Sequence, residues 1–381
     1  MTKYRVSEHS SPPTLTLKIH DLARGGAGVA RDETGRVVFV PFTAPGDEVR
    51  VRIIEAKKNY AQAELLEVLN PSPIRQKPPC SVFGRCGGCQ WQHLPYEFQW
   101  RTKVQGVLQA LGRAKIEKPT YFEELPAERI WEYRNRVQLR GFGDDLGYYA
   151  AGSHERVAVD RCEIARPEIN AAWDATREEG RRFGKPYKVE VEVLPGGEMR
   201  RTWNDAHGAA GFRQVHDEQN EKLKEWVAQR LTPGRAVLDL YGGSGNLSLG
   251  LGDRVTEVHC VDIGAPRGLQ KGNVHFHRAP VAAWVAQAAK SAKFESAILD
   301  PPREGLAQDF EVIAESLEAL GVTELIAVGC DPDAWARDLS RFLKRGWRLD
   351  RAAILDLFPQ TPHVESLARL TRDEMPITLN R

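Results

Sequence analysis

The sequence predicts an α/β protein whose C-terminal part is a doubly wound, Rossmann-like parallel sheet. Two stretches carry that expectation. Ala236 to Leu240 is an apolar run followed by Tyr241-Gly242-Gly243-Ser244-Gly245-Asn246 and a helical opening. A strand, a turn nearly free of side chains and a helix start make up a nucleotide-binding βα unit. About twenty residues on, Glu257-Val258-His259-Cys260-Val261-Asp262 is a second strand that ends in a carboxylate, where such folds hold ribose hydroxyls. Ahead of this region the sequence predicts an N-terminal OB-like β-barrel and a central α+β segment, with boundaries at 1–72, 73–210 and 211–381.

The glycine turn narrows the ligand. A dinucleotide fingerprint requires a third glycine, and Ser248 stands there. Asp239 at the end of the first strand suits the ammonium group of S-adenosylmethionine, although a dinucleotide or a purely structural turn fits the turn alone.

The 381 residues include 53 Lys+Arg and 52 Asp+Glu, so no global basic excess points to nucleic acid and any affinity must be local. No apolar leader or membrane-length run is present, which makes a cytoplasmic chain the expectation. In that compartment six cysteines are read as metal ligands or reactive thiols rather than disulfides.

In the first seventy residues, 15–19, 37–40, 49–54 and 63–68 alternate as strands. Pro45-Gly46-Asp47 is a turn and Arg24-Gly25-Gly26-Ala27-Gly28 a flexible loop. Arg24, Lys57 and Lys58 beside Tyr60 fit a nucleic-acid-binding barrel, and equally a solvated charged face. A proline-rich linker, 71–79, then delivers Cys80, Cys86 and Cys89, with Cys162 much later. Three close thiols, spaced C-x5-C-x2-C, and one distant thiol resemble the iron–sulfur spacing C-x4-C-x2-C…C. Zinc sites with two separated C-x2-C pairs and four unrelated buried cysteines are the alternatives.

Residues 98–111 have helical apolar spacing, and 218–231 predict the helix that enters the last domain. Arg134, Arg136 and Arg140 alternate along one predicted strand and are candidates to meet phosphates, against a simple solvated face. After Asp262 the usual helix is missing. Residues 263–272 carry three glycines and a proline, so a loop is expected as one wall of the cofactor pocket.

Three further strand ends carry reactive groups. Ala297-Ile298-Leu299-Asp300 runs into Pro301-Pro302-Arg303. Leu325-Ile326-Ala327-Val328 runs into Gly329-Cys330-Asp331-Pro332. His363 and Glu365 follow Phe358-Pro359-Gln360-Thr361-Pro362. Amino-methyltransferases carry an aromatic residue after Asp-Pro-Pro; Arg303 removes that stacking plate. A thiol and a carboxylate beside a methyl donor fit uracil C5 chemistry, in which a thiolate adds to C6 and a base later removes the C5 proton. Cys330 is the candidate nucleophile, Glu365 the candidate base, and His363 a candidate either to favour the thiolate or to be structural. Cys260, mid-strand, reads as a small buried hydrophobe.

Taken together, these motifs resemble the S-adenosylmethionine-dependent RNA (uracil-5-)-methyltransferases of the iron–sulfur type that modify large-subunit ribosomal RNA. Nearly the whole chain takes part: a TRAM-like start, the four cysteines, Phe212-x-Gln214-Val215, Asp-Pro-Pro-Arg, Gly-Cys-Asp-Pro and Phe-Pro-Gln-Thr-x-His-Val-Glu. The resemblance implies a [4Fe-4S] cluster on Cys80, Cys86, Cys89 and Cys162. It implies cofactor contacts by Gln214, Tyr241, Asn246, Asp262 and Asp300, with Cys330 as nucleophile and Glu365 as proton acceptor. Its implied partner is RNA, ribosomal or transfer, and a monomeric protein is expected. His216 replaces the family's usual asparagine, and Arg278-Ala279-Pro280 replaces its Gly-Asp-Ala. The rival readings are an RNA-binding assembly protein with a degenerate cofactor site and a cytosine-5 enzyme.

Overall fold

The computed structural model describes residues 14–205 and 213–373. Phe212 of the predicted cofactor motif lies outside them. Within them the chain forms two compact units, one of residues 14–103, 129–205 and 358–362, the other of 104–128, 213–357 and 363–373. Residues 104–128 of the expected central segment belong to the second unit. The main reason is Tyr121–Leu125, a five-residue strand in the expected central segment, which pairs in parallel with Arg348–Leu355 of the last sheet.

The first unit contains two sheets. The N-terminal one has six strands in the order Thr14–Lys18, Glu48–Ala56, Tyr60–Asn70, Val37–Val40, Gly28–Arg31, Asp21–Leu22. Strand Glu48–Ala56 shows why it forms: Val49, Val51 and Ile53 are buried while Arg50 and Arg52 are exposed, the period-two pattern of a half-covered strand. The Pro45-Gly46-Asp47 turn is fastened by the buried Asp47 carboxylate. It accepts from Ala44 N at 2.7 Å and Ser72 N at 2.8 Å, and pairs with Arg75 at 2.9 Å. The expected flexible glycine loop is pinned instead, because Trp91 Nε1 donates to the Gly26 carbonyl at 3.0 Å and Gly28 already belongs to a strand. No side chain fits at Gly28, where an added Cβ would stand 2.0 Å from Thr43 Oγ1.

The second sheet of this unit is antiparallel, in the order Arg156–Ala158, Asp145–Tyr149, Arg136–Phe142, Tyr187–Val193, Met199–Trp203. It corrects the reading of its arginines. Arg136 is 2% exposed and lies 3.7 Å from Glu190, itself 6% exposed. Arg140 is half-buried over the Tyr149 ring and donates to Gln138 Oε1. Arg136 is thus buried while Arg140, on the same face, is half-buried and Phe142 exposed, so Arg136 at least is engaged by the protein itself.

In the second unit one nine-stranded sheet holds the chemistry. Its order is Gln270–Lys271, Val274–Arg278, Glu257–Asp262, Ala236–Leu240, Ser296–Leu299, Glu324–Gly329, Glu365–Thr371, Arg348–Leu355, Tyr121–Leu125. The five strands from Val274–Arg278 to Glu324–Gly329 are mutually parallel, and Glu365–Thr371 runs antiparallel to Glu324–Gly329. Ser296, Ala297, Ile298 and Leu299 are all buried, as a parallel strand covered on both faces requires. The helices Asp217–Arg230, Val281–Ala288, Phe310–Leu320 and Pro332–Lys344 accompany it. The predicted break after Asp262 is present: turns and the two-residue strand Gln270–Lys271 occupy 263–273. No described helix is long and apolar enough to cross a membrane.

The burial of Arg136 has a stability consequence. Removing one partner of a buried pair leaves the other charge uncompensated, at a cost of about 3–5 kcal/mol. Arg136→Met should therefore lower the chemical-denaturation midpoint sharply. A loss below about 1 kcal/mol, with weakened RNA binding instead, would return Arg136 to the RNA path.

Candidate active site

Strand direction gathers the reactive residues at one edge of the nine-stranded sheet. Asp262, Asp300 and Cys330 each follow or finish the carboxyl end of a parallel strand, and Asp239 lies one residue before such an end. Glu365 opens an antiparallel strand in which Ser366 pairs with Gly329, so its first residue arrives beside Cys330. Across the sheet the acids and the thiol therefore follow the order Asp262, Asp239, Asp300, Cys330, Glu365.

The turn after Leu240 fits a ligand pressed against backbone. Tyr241, Gly243 and Gly245 have φ of 67°, 56° and 84°. An added Cβ on Gly242 would stand 2.6 Å from the Asp239 carboxyl, and one on Gly245 2.8 Å from the Phe276 ring. The helix that follows, Ser248–Leu251, is a single turn, so its dipole contributes little and the expected anion-binding helix start is not formed. The polar floor is Asp239 instead. Its Oδ2 accepts from Ser248 N at 3.2 Å and from the Ser248 hydroxyl, while Oδ1 is buried with no hydrogen-bond partner among the described residues. A buried carboxylate oxygen left open asks for a cationic donor such as an ammonium.

The other expected cofactor residues are placed as follows. Asp262 keeps Oδ1 on Gly264 N at 2.5 Å, which shapes the start of the shortened loop. Asn246 exchanges two amide hydrogen bonds with Asn220, at 2.8 and 2.9 Å. Tyr241 has its phenol pushed up to about 12 by burial first and then by Asp309, Asp338 and Asp262. Gln214 is buried. His216 caps helix Asp217–Arg230 with Nδ1 3.5 Å from Gln219 N, the capping position that an asparagine also suits.

Local sequence explains how Cys330 is presented. Gly329 ends its strand against Trp335, with no room for a side chain: an added Cβ would meet Trp335 Cβ at 2.8 Å. Trp335 is itself fixed by donating Nε1 to the Ala327 carbonyl at 3.1 Å. Asp331 then caps helix Pro332–Lys344, accepting from Asp333 N and Ala334 N, with Pro332 in the first turn. Cys330 is the single residue between strand and cap. It lines a cavity with Pro301, Pro302, Arg303, Gly329 and Asp331.

Electrostatics divides the edge in two. Burial raises Asp239 to about 6, opposed by its Ser248 hydrogen bonds and reinforced by Asp262. Burial, then Asp239 and Asp262, raises Asp300 to about 7. Burial lifts the Cys330 thiol to about 12, with Glu365 and Asp300 raising it and Arg303 lowering it. Glu365 is raised well above the carboxylate range by burial and then Asp300, again opposed by Arg303. Arg303 is thus the cation that favours both ionised forms, and sequence reasoning had seen it only as a missing aromatic. His363 touches that guanidinium, 3.3 Å from Nδ1 to Arg303 NH2, so it orients the cation. Gln360 was also missed. Inside the first unit its carbonyl accepts from Gln90 N and Trp91 N, and its side chain and backbone bond Gln99. A φ of 70° at a non-glycine residue was the signal that the sequence could not display.

The four expected cluster thiols all lie in the first unit. Cys86 forms a β-bridge with Ala150 and receives Gly88 N on its Sγ at 3.4 Å. Gly87 N donates to the Tyr149 carbonyl, and the Asn170 side chain brackets Cys162 through its N and O. Cys162 acts electrostatically on Cys80, Cys86 and Cys89, which places the four in one neighbourhood. Burial holds Cys86 and Cys89 up at about 11 and 12. A metal centre would displace those protons. Among the described residues the thiols do not supply three ligand atoms within 4.8 Å of one another. Cys260 is buried and mid-strand, its thiol pushed up by burial.

A parallel sheet with a glycine turn after its first strand and a carboxylate ending the second has the layout of a class I methyltransferase, here with a cysteine following another strand at the same edge. Residues 13–66 match the TRAM domain and residues 285–373 the tRNA (Uracil-5-)-methyltransferase family. An uncharacterized RNA methyltransferase of Bdellovibrio bacteriovorus is 33% identical over 94% of this chain and 95% of its own. The 23S rRNA (uracil(1939)-C(5))-methyltransferase of Chromohalobacter salexigens is 30% identical over 94% and 89%. The crystal structure of Pyrococcus abyssi tRNA (uracil-54, C5)-methyltransferase with S-adenosyl-L-homocysteine shares the fold, with a TM-score of 0.72 over 94% of this chain and 100% of that one at 21% identity. The chain belongs to the S-adenosylmethionine-dependent RNA (uracil-5-)-methyltransferase family.

The raised acids set the pH dependence of the free protein. Asp239 and Asp300 bind protons more tightly folded than unfolded, moving from 3.8 to about 6 and about 7. Their contribution is therefore complete below the unfolded value and is lost as pH rises through the folded values. The urea midpoint without ligand should fall between pH 4 and pH 7, and Asp300→Asn should flatten that fall. A midpoint that climbs through the same window in both proteins would contradict the assignment.

Proposed function

We propose that this enzyme methylates C5 of a specific uridine in ribosomal RNA, with Cys330 as nucleophile and Glu365 as general base. The observation that carries the reading is the arrival of half-buried Cys330 and buried Glu365 at the ends of neighbouring strands on one sheet edge, with Asp300 and Arg303 acting electrostatically on both. Ribosomal RNA is favoured over transfer RNA by the naming of the relatives at 30% identity that span nearly the whole chain. The protein is proposed to act as a monomer in the cytoplasm.

Uracil C5 is too weak a nucleophile to be methylated unaided. The Cys330 thiolate adds to C6, forming the S–C6 bond and moving the electron pair of the C5–C6 double bond towards C5. C5, now carrying that electron pair, takes the methyl group of S-adenosylmethionine as the methyl–sulfonium bond breaks and S-adenosyl-L-homocysteine leaves; Asp239, Asp300, Asp262, Tyr241, Asn246 and Gln214 would hold the cofactor. Glu365 then takes the C5 proton, the C5–C6 double bond re-forms and Cys330 leaves. A carboxyl whose proton affinity is raised by burial is the stronger base once ionised, and Arg303 supports that ionisation. Since both faces of the ring must be reached, the target base is flipped or lies in a loop.

On Cys80, Cys86, Cys89 and Cys162 we place a [4Fe-4S] cluster. Each thiolate would bind a different iron, so the sulfurs need not approach as closely as around one ion. Methyl transfer needs no electron, and the cluster's role is to tie the linker to the five-stranded sheet.

Two experiments follow. Cys330→Ala should bind RNA yet give neither adduct nor product. Glu365→Gln, which keeps shape but accepts no proton, should accumulate methylated RNA attached to Cys330 and stable to denaturing electrophoresis. Normal turnover of Glu365→Gln without adduct would remove Glu365 as base and leave Asp300 as the next acid to test. Separately, protein purified without oxygen should be brown and contain iron that is lost in Cys86→Ala. Zinc bound by those thiols, with no iron, would overturn the cluster.

A further inference from the structure

Away from the reactive edge, the strands Glu257–Asp262 and Val274–Arg278 carry a second concentration of ligand-type side chains. They pair in parallel with His259 opposite His275 and Val261 opposite His277. Alternation along each strand puts Glu257, His259, His275 and His277 on one face. Three of the ten histidines of the chain thus sit on two adjacent strands. Glu257 begins its strand, about 16 Å along it from Asp262, so the group is separate from the cofactor residues.

The side chains converge as well. His259 Nε2 lies 3.4 Å from Glu257 Oε2, and its Nδ1 lies 3.0 Å from His277 Nε2. The His259 and His275 ring centroids are 5.1 Å apart. One ligand atom each from Glu257, His259 and His275 falls within a common 4.8 Å, close enough for small rotations to bring all three onto one ion. All three residues are half-buried. Trp284 and Phe294 stand against the His259 ring at 6.0 and 5.1 Å, forming an apolar wall beside the group.

We propose that Glu257, His259 and His275 form a binding site for a divalent transition cation of zinc's class. Two imidazoles and one carboxylate are a ligand set that zinc uses, with the fourth position left to water. His277 completes the arrangement without binding the ion. When His259 ligates through Nε2, its Nδ1–H donates to His277 Nε2, the outer hydrogen bond that fixes tautomer and ring orientation at metal-bound histidines. Hard cations such as magnesium prefer all-oxygen surroundings and should not compete. Because the ligands come from two strands, the ion cross-links the parallel edge next to the loop that replaces the missing helix.

The test must separate this site from the four cysteines, and cobalt(II) does so. Titrated anaerobically into the full-length protein, it should fill one site with weak visible d–d bands and no sulfur-to-metal charge transfer, and zinc(II) should displace it. The double variant His259→Ala, His275→Ala should lose that equivalent. Glu257→Gln and His277→Phe preserve shape and ring packing, so they report even where the double variant fails to fold. Each should weaken binding at least roughly tenfold. Unchanged affinity in Glu257→Gln and His277→Phe, or bound cobalt showing only sulfur charge transfer, would overturn the proposal.

Discussion

Placing Asp239, Asp300 and Glu365 along one sheet edge, with Asp239 and Glu365 buried, costs free energy unless a proton or a cation accompanies them. No cation of the protein stands beside Asp239 Oδ1 among the described residues, and its neighbours Asp262 and Asp300 add further negative charge. On the other flank a single guanidinium, Arg303, acts on both Cys330 and Glu365. The edge therefore suits a cationic ligand at one end, and at the other Arg303 opposes the burial that raises both the thiol and the carboxyl. The sulfonium chemistry of the family meets that requirement, and the glycine turn that opens the pocket contributes room rather than charge.

The same constraint explains the supporting parts. Gly329 has no side chain because Trp335 closes on it, and Asp331 spends its carboxylate on capping the next helix. Cys330 is left as the only side chain of that turn lying at the edge between the strand and its helix cap. A one-turn helix after the glycine loop would be a poor phosphate site, and it is adequate where the ligand's reactive end is positive.

Much of this was legible in the sequence. The strand ends, the broken segment after Asp262 and the helices near 98–111 and 218–231 all have local signals, namely apolar period, glycine and proline content, and capping residues. What escaped is non-local. Tyr121–Leu125 joins a sheet whose other strands begin more than a hundred residues later, and nothing in five residues announces that partner. Arg136 alternates correctly yet faces a buried glutamate, because periodicity assigns a face and not what covers it. Arg303 looked like the loss of a stacking ring. Only the fold shows it acting electrostatically on both the Cys330 thiol and the Glu365 carboxyl.

The central claim is that this edge performs methylation at uracil carbon 5 with removal of the hydrogen already there. Ribosomal RNA carrying tritium at uridine C5 and methyl-labelled S-adenosylmethionine measure both events in one tube. The account predicts one tritium released to water for each methyl group incorporated, with both events abolished in Cys330→Ala. Methyl incorporation without tritium release would place the methyl group on another atom and contradict it.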